Sequence, residues 1–266
     1  MEIIGYLASI AIGIALGLIG GGGSILTVPV LVYLFGKDAT IATGYSLFIV
    51  GFTSAVGSIQ YFRKSLVNIK TAIVFGIPSI IAVFLTRVYI VPAIPNSILF
   101  IGNFEVTKSI FLLVLFALLM IVASYSMLKP VKVSDKTDEN IPQKFNYPLI
   151  IIEGFFVGVL TGLVGAGGGF LIIPALVMLS KLPMKEAIGT SLAIIAAKSL
   201  IGFIGEGATN SVDWNFLLPI TGFAVGGIFI GTYLSKNIDG AKLKPAFGWF
   251  ILVMGLYIII KELFLT

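Results

Sequence analysis

The chain is 266 residues long and carries a net charge of +5; 58% of it is hydrophobic and only 11% charged, at a mean hydropathy of +1.11. Water-soluble domains carry charge on about a quarter of their residues, so this composition excludes a soluble fold and points to a polytopic membrane protein. The absence of cysteine and histidine removes disulfides, thiol chemistry, the commonest metal ligands and the usual neutral-pH proton shuttle, which argues against an enzyme, a metal site or a cofactor. The basic excess fits loops facing a cytoplasm or anionic lipid rather than nucleic acid.

In chain order, the first apolar segment covers residues 3–19. Its small residues Gly5, Ala8, Ala11, Ala15 and Gly17 allow close helix approach in lipid. Glu2 stands where a signal peptide would have a basic start, so the segment reads as a helix among others. Gly20, Gly21, Gly22 and Gly23 follow, then Ser24. Four glycines cost a helix roughly 1 kcal/mol each relative to alanine, so the helix breaks there. Residues 25–35 are apolar but too few to cross a hydrocarbon core of about 30 Å, and read as a half-helix or re-entrant limb containing Pro29. Backbone interrupted at that depth has to be covered by protein or face water.

The next span, residues 41–62, carries Thr43, Tyr45, Ser46, Thr53, Ser54, Ser58 and Gln60, a polar load that predicts an inward face. A third span covers 71–91, with Arg87 near its end expected to snorkel to the interface. Residues 92–106 read as a connection and 108–128 as a fourth span. The composition then turns polar through 129–147, the solvated linker between a first repeat at 1–128 and a second at 148–266.

The second half follows the same plan: a span at 149–164, a glycine break, a short limb at 170–179, a polar turn at 181–185, and spans at 187–204, 216–234 and 246–260. An offset of 145 pairs the two breaks without a gap, and from Gly13 to Leu47 it makes 15 of 35 residue pairs identical. Gly165, Gly167, Gly168 and Gly169 answer the first run, and Pro174 answers Pro29. The expected fold is an all-α polytopic membrane bundle of about eight transmembrane helices in two tandem repeats, each with a Gly-rich broken or re-entrant helix. With eight crossings, Lys and Arg divide evenly between the two faces, which leaves orientation open. Limbs that also crossed would give five elements per half and inverted repeats.

The candidate chemistry sits at the breaks. A helix starting after such a break offers backbone N–H groups and the positive end of its dipole, and glycines let a ligand come against the main chain, which suits an anion. The alternative is that the glycines only permit tight crossing. Gly44-Tyr45-Ser46 aligns with Gly189-Thr190-Ser191, so both halves place hydroxyls one loop from the break. Such hydroxyls either complete oxyanion coordination or bond back to their own helix. Lys198 lies seven residues after Ser191 in an apolar stretch, where an ammonium costs about 2.5–3.5 kcal/mol on insertion scales and so faces a partner or an aqueous path. Either it attracts the anion or it pairs with Glu206 or Glu153.

The duplicated pattern Gly20-x-Gly22-Gly23…Pro29 and Gly165-x-Gly167-Gly168…Pro174, in two halves joined by a short polar loop, resembles the TauE/SafE sulfite exporter family over nearly the whole chain. The resemblance implies a secondary transporter of small anions, sulfite or an organosulfur anion, in a prokaryotic cytoplasmic membrane. It carries over to the glycines, to Pro29 and Pro174, and to the adjacent hydroxyls. An anion channel and a membrane-embedded accessory protein without transport are the other readings. The expected partners are the small anion, the lipid bilayer and the proton as coupling ion; without histidine, the proton would travel on Glu153, Glu206 or the anion itself.

Overall fold

The computed structural model describes residues 2–21, 23–101, 104–128, 147–178, 182–207, 212–235 and 240–264. The expected linker at 129–147 falls almost wholly outside the described residues, as do Lys181 of the turn expected at 181–185 and Gly22. In order, the elements are α1 (Glu2–Ile19), α2 (Ser24–Pro29) running into a π-helical turn (Val30–Leu34), α3 (Ala39–Arg63), and α4 (Ile69–Leu85). A second π-helical turn (Thr86–Ile90) continues α4 into α5 (Val91–Ala93), and β1 (Ser97–Ile101) pairs antiparallel with β2 (Phe104–Thr107). Then come α6 (Lys108–Leu128), α7 (Tyr147–Val164), α8 (Gly169–Met178), α9 (Met184–Gly207), α10 (Trp214–Leu234) and α11 (Gly240–Phe264).

The chain forms an all-α membrane bundle. Among the described residues, five helices are long and apolar enough to cross a membrane: α3, α4 with its extension, α6, α9 and α10. Shorter apolar helices lie at Ile4–Ile19, Ser24–Leu34 and Pro148–Val164, and α11 is 25 residues long. The connection expected at 92–106 holds a β-hairpin, the one departure from all-helical structure among the described residues.

Local chemistry fixes where the helices start. Asp38 caps α3 by accepting from the Thr40 N–H (2.8 Å), and Asn68 caps α4 by accepting from the Thr71 N–H (2.9 Å). Asp213 caps α10 by accepting from the Phe216 N–H (3.2 Å), and the offset of 145 carries Asn68 and Thr71 onto these two residues. Chain direction follows from which residues touch. Gly51 packs on Leu200 and Gly189 on Tyr61, so α3 and α9 run antiparallel. Gly13 meets Ala224 and Gly17 meets Ile228, so α1 and α10 run parallel. In the same way Gly154 meets Phe75 and Gly158 meets Ser79, which sets α7 parallel to α4. At each crossing glycine brings one backbone against the other, the close approach that packing in lipid rewards.

After its break, the limb of α2 folds back along α1: Gly23 lies against Ile12 and Leu16, and Phe35 lies against Gly5. The limb therefore returns alongside the first helix towards the end at which that helix begins. The dominant pairings, α1 with α10, α3 with α9, α6 with α11, and α4 with α7, join one half of the chain to the other.

Candidate functional site

The two breaks meet inside the bundle. The chain leaves α1 at Gly20 with φ +75°, and leaves α7 at Gly165, Gly167 and Gly168 with φ of +71°, +62° and +71°, conformations that only glycine adopts without strain. Backbone touches backbone where they cross: a Cβ on Gly21 would stand 2.5 Å from the Gly169 Cα, and one on Gly169 would strike Gly21. Gly20 rests on Ile188, Gly23 on Ile12 and Leu16, Gly165 on the main chain of Thr43, and Gly167 on Val50. Pro29 is buried within α2, where its missing N–H precedes the π-helical turn, and Pro174 lies within α8.

Several amides of the breaks are already bonded. Ser24 N–H reaches the Gly21 carbonyl at 3.4 Å and Leu26 N–H the Gly23 carbonyl at 3.1 Å. Gly168 N–H donates to the Ala166 carbonyl (2.6 Å), and Leu171 and Ile172 both donate to the Gly168 carbonyl (3.0 Å). The first limb has only six α-helical residues before its ladder widens. Backbone amides are thus a smaller part of this site than the glycine runs imply, and side chains a larger one.

The hydroxyls divide. Ser24 Oγ donates to the Gly21 carbonyl (2.7 Å), and Ser191 Oγ lies within hydrogen-bond distance of the Gly20 carbonyl (3.0 Å) and of Ile188 O (2.8 Å). These bonds brace the first break. Tyr45 Oη accepts from the Asp213 N–H (2.7 Å) and Thr190 Oγ1 from the Asn68 N–H (2.9 Å), two contacts the offset of 145 interchanges. Both residues tie one half's helix to the capping residue of the other half, so Tyr45 and Thr190 are fasteners between halves. Ser46 differs. Its hydroxyl is buried with no hydrogen-bond partner among the described residues, as are those of Thr53 and Ser54 further along α3 and of Ser199 on α9. A buried hydroxyl left without a partner forfeits about 1–3 kcal/mol, and these belong to the two helices that face each other across the centre.

Lys198 is the charged member of the group. It is 0% exposed, its Nζ donates to Thr161 Oγ1 at 3.1 Å, and it lies 2.8 Å from where a Cβ on Gly168 would be. It forms no ion pair among the described residues; the side chain of Glu206 is outside them. The ammonium is therefore delivered against the second break by α9 and held by a neutral hydroxyl from α7. In the first half the same offset puts Thr53 in the place of Lys198 and Leu16 in that of Thr161. The two breaks are chemically unequal.

Arg87 escaped sequence reasoning. Expected at the interface, it is 0% exposed, and its Nη1 donates to Thr43 Oγ1 at 3.1 Å. The π-helical turn Thr86–Ile90 adds a residue to the helical circuit and re-aims the side chains beyond it, a distortion frequent at functional sites. The available signal was an arginine flanked by Thr86 and Val88 near the end of an apolar helix, which did not distinguish inward from outward.

Comparison with known proteins places the chain in a family. The family described as "Sulfite exporter TauE/SafE" matches residues 5–258. A "Probable membrane transporter protein" of Xylella fastidiosa (strain 9a5c) is 30% identical over 254 residues, covering 93% of this chain and 91% of that one. The "Probable membrane transporter protein YunE" of Bacillus subtilis (strain 168) is 27% identical over 267 residues, covering 93% of each. A probable membrane transporter protein of Methanocaldococcus jannaschii is 34% identical over 116 residues, 41% of this chain and 43% of that one. No solved structure matches the chain.

Proposed function

Because this chain belongs to the sulfite exporter TauE/SafE family and is a multi-pass membrane transporter, we propose that it is a secondary carrier of small anions, with sulfite or an organosulfur anion as substrate. The observation that carries the proposal is Lys198: a wholly buried ammonium, bonded to a neutral hydroxyl and set against the glycines of the second break. Burying a cation in the bilayer is costly, and an anionic solute offsets that cost whenever it binds. The substrate binds between Lys198, Thr161 and the second break, and the buried, unpartnered hydroxyls of α3 and α9 support a polar route through these two helices. Equivalent helices running in opposite directions, as α3 and α9 do, fit a carrier built from inverted repeats with its site near the midplane. The packed breaks correspond to an occluded state of that carrier.

Flux of radiolabelled sulfite into proteoliposomes containing the purified protein tests this. Saturable uptake with counterflow, accelerated by an imposed proton gradient, is the expected result. Saturable flux without counterflow would indicate a channel, and absence of flux for sulfite and sulfoacetate alike an accessory protein.

The same reading assigns an orientation once the second limb is taken to return as the first does. The connections that join helix ends on the linker face carry twelve Lys and Arg by sequence, whereas the opposite face has Lys37, Arg87, Lys108 and Lys261. The positive-inside tendency puts the linker in the cytoplasm and both chain ends across the membrane. Alkaline phosphatase fused after Thr266 is expected to be active and the same enzyme inserted in the linker inactive; the reverse pattern would overturn the assignment.

A further inference from the structure

The β-hairpin lies between the end of one membrane span and the start of the next, on the face opposite the linker. Its base is closed by the Lys108 N–H donating to the Asn96 carbonyl at 2.9 Å, and Asn96 and Thr107 at that base line a cavity of about 870 Å³. Beyond the base it carries large apolar side chains that the bundle does not cover. Leu99 is 55% exposed and Phe100 66%, and Ile98 beside them is exposed as well.

The strand register puts these side chains on both faces. Leu99 stands opposite Val106 and Phe100 opposite Glu105, so Leu99 and Phe100 project from the two sides of the ribbon. An isolated two-stranded hairpin is marginal in water, and apolar groups left uncovered do nothing to hold it together.

What covers them follows from the helix that leads in. On α4 and its extension every fourth residue from Ile69 to Tyr89 is exposed, by way of Ile73, Ile77, Ile81 and Leu85. Twenty residues at about 1.5 Å each rise about 30 Å, the thickness of a hydrocarbon core. A lipid-facing stripe that starts at the boundary nearer the linker therefore ends with Tyr89 at the other boundary, the depth that tyrosine favours. Ile90 continues the exposed surface, and β1 starts seven residues later at Ser97. The hairpin thus leaves its helix at the level of the headgroups and returns there to Lys108, the first residue of α6.

Depth is bounded from the other side too. A two-stranded ribbon has two edges of unpaired backbone groups, and Glu105 is exposed opposite Phe100, so the hairpin is barred from the hydrocarbon itself. The headgroup layer meets both demands, because it hydrates the edges and the carboxylate while surrounding the apolar side chains. A protein partner seated on one face would leave the other bare, whereas lipid closes round both.

We propose that the hairpin is an interfacial lipid anchor, seated among the headgroups of the leaflet opposite the linker with Leu99 and Phe100 inserted at the boundary with the acyl chains. The anchor holds one wall of the cavity at the membrane surface, and it does not depend on what the protein carries.

The chain has no cysteine, so Leu99→Cys and Phe100→Cys each provide one site for a nitroxide spin label in the full-length protein. Ile77→Cys, midway along the exposed stripe, is the reference for lipid, and Lys64→Cys, exposed in the turn after α3, the reference for water. All four side chains are exposed, so the label displaces no packing. The protein is held in phosphatidylcholine nanodiscs, open on both faces. Collisions with oxygen, which concentrates in the bilayer, are compared with collisions with a neutral nickel chelate, which stays in water. The oxygen-to-nickel ratio at both hairpin sites is expected to lie several-fold above that of Lys64→Cys and below that of Ile77→Cys. A ratio equal to the water reference at either site would put the hairpin in solution and overturn the proposal. A ratio equal to the lipid reference would put it in the hydrocarbon and overturn it equally. Poor access of both reagents to one site, relieved when each disc holds a single copy, would make a second copy of the chain the cover instead of lipid.

Discussion

Lys198→Met is expected to reduce kcat/KM for sulfite uptake by about tenfold or more while leaving the amount of folded protein unchanged or higher. The two directions follow from one fact. A hydrogen bond to a charged group is worth about 1.5–3 kcal/mol, and each 1.4 kcal/mol is a factor of ten in affinity, so losing an ammonium that touches the substrate weakens binding at least that far. The same ammonium sits 0% exposed against a neutral threonine, and replacing a buried charge by an apolar side chain of similar length is often neutral or stabilising. A structural lysine predicts the opposite pairing, with stability falling and transport following it. Uptake into proteoliposomes together with the thermal midpoint of the purified protein separates the two. Unchanged uptake would remove Lys198 from the substrate path.

The largest loss is expected from Gly21→Val and Gly169→Val, each reducing transport by about a hundredfold or more, with less folded protein in the membrane. Overpacking a core costs typically about 1–3 kcal/mol when side chains can move aside. Here they cannot, because each Cβ would fall on the other glycine's main chain, and relief requires separating the two limbs. Gly222→Ala and Gly226→Ala supply the contrast. A Cβ at either meets nothing within 4 Å on α10, and alanine is the better helix former, so activity within about twofold of the parent is expected. Equal tolerance at both pairs, measured by uptake per unit of folded protein, would show that the crossing of the limbs is dispensable.

The positions of the helices were open to sequence reasoning because long apolar runs bounded by polar turns leave little freedom in a membrane. Spans expected at 41–62 and 216–234 appear as Ala39–Arg63 and Trp214–Leu234. Glycine runs likewise marked where helix stops, since their cost is local. What could not be read was set by partners distant in sequence. Tyr45 and Thr190 look like members of an anion-coordinating row, yet their acceptor oxygens go to the caps at Asp213 and Asn68, a choice fixed by how the halves dock. Arg87 shows a different limit, since the wider turn that directs it inward has no marker in the sequence. The hairpin did leave a trace. Ser97–Ile101 and Phe104–Thr107 are short runs rich in β-branched and aromatic residues on either side of Gly102-Asn103, a pair suited to a tight turn. The prolines at positions 92 and 95 drew the whole stretch into a connection instead.

The exchange of partners between α1 with α10 and α7 with α4 bears on how the protein is made. Gly13 meets Ala224, a residue the ribosome adds more than two hundred positions later, so the first helix enters the bilayer long before its neighbour exists. Neither half can complete its packing while the other is still being synthesised. Insertion and assembly are thus separate stages of biogenesis, and a chain released after the first half would leave a glycine-lined helix surface facing lipid, a mark for membrane quality control.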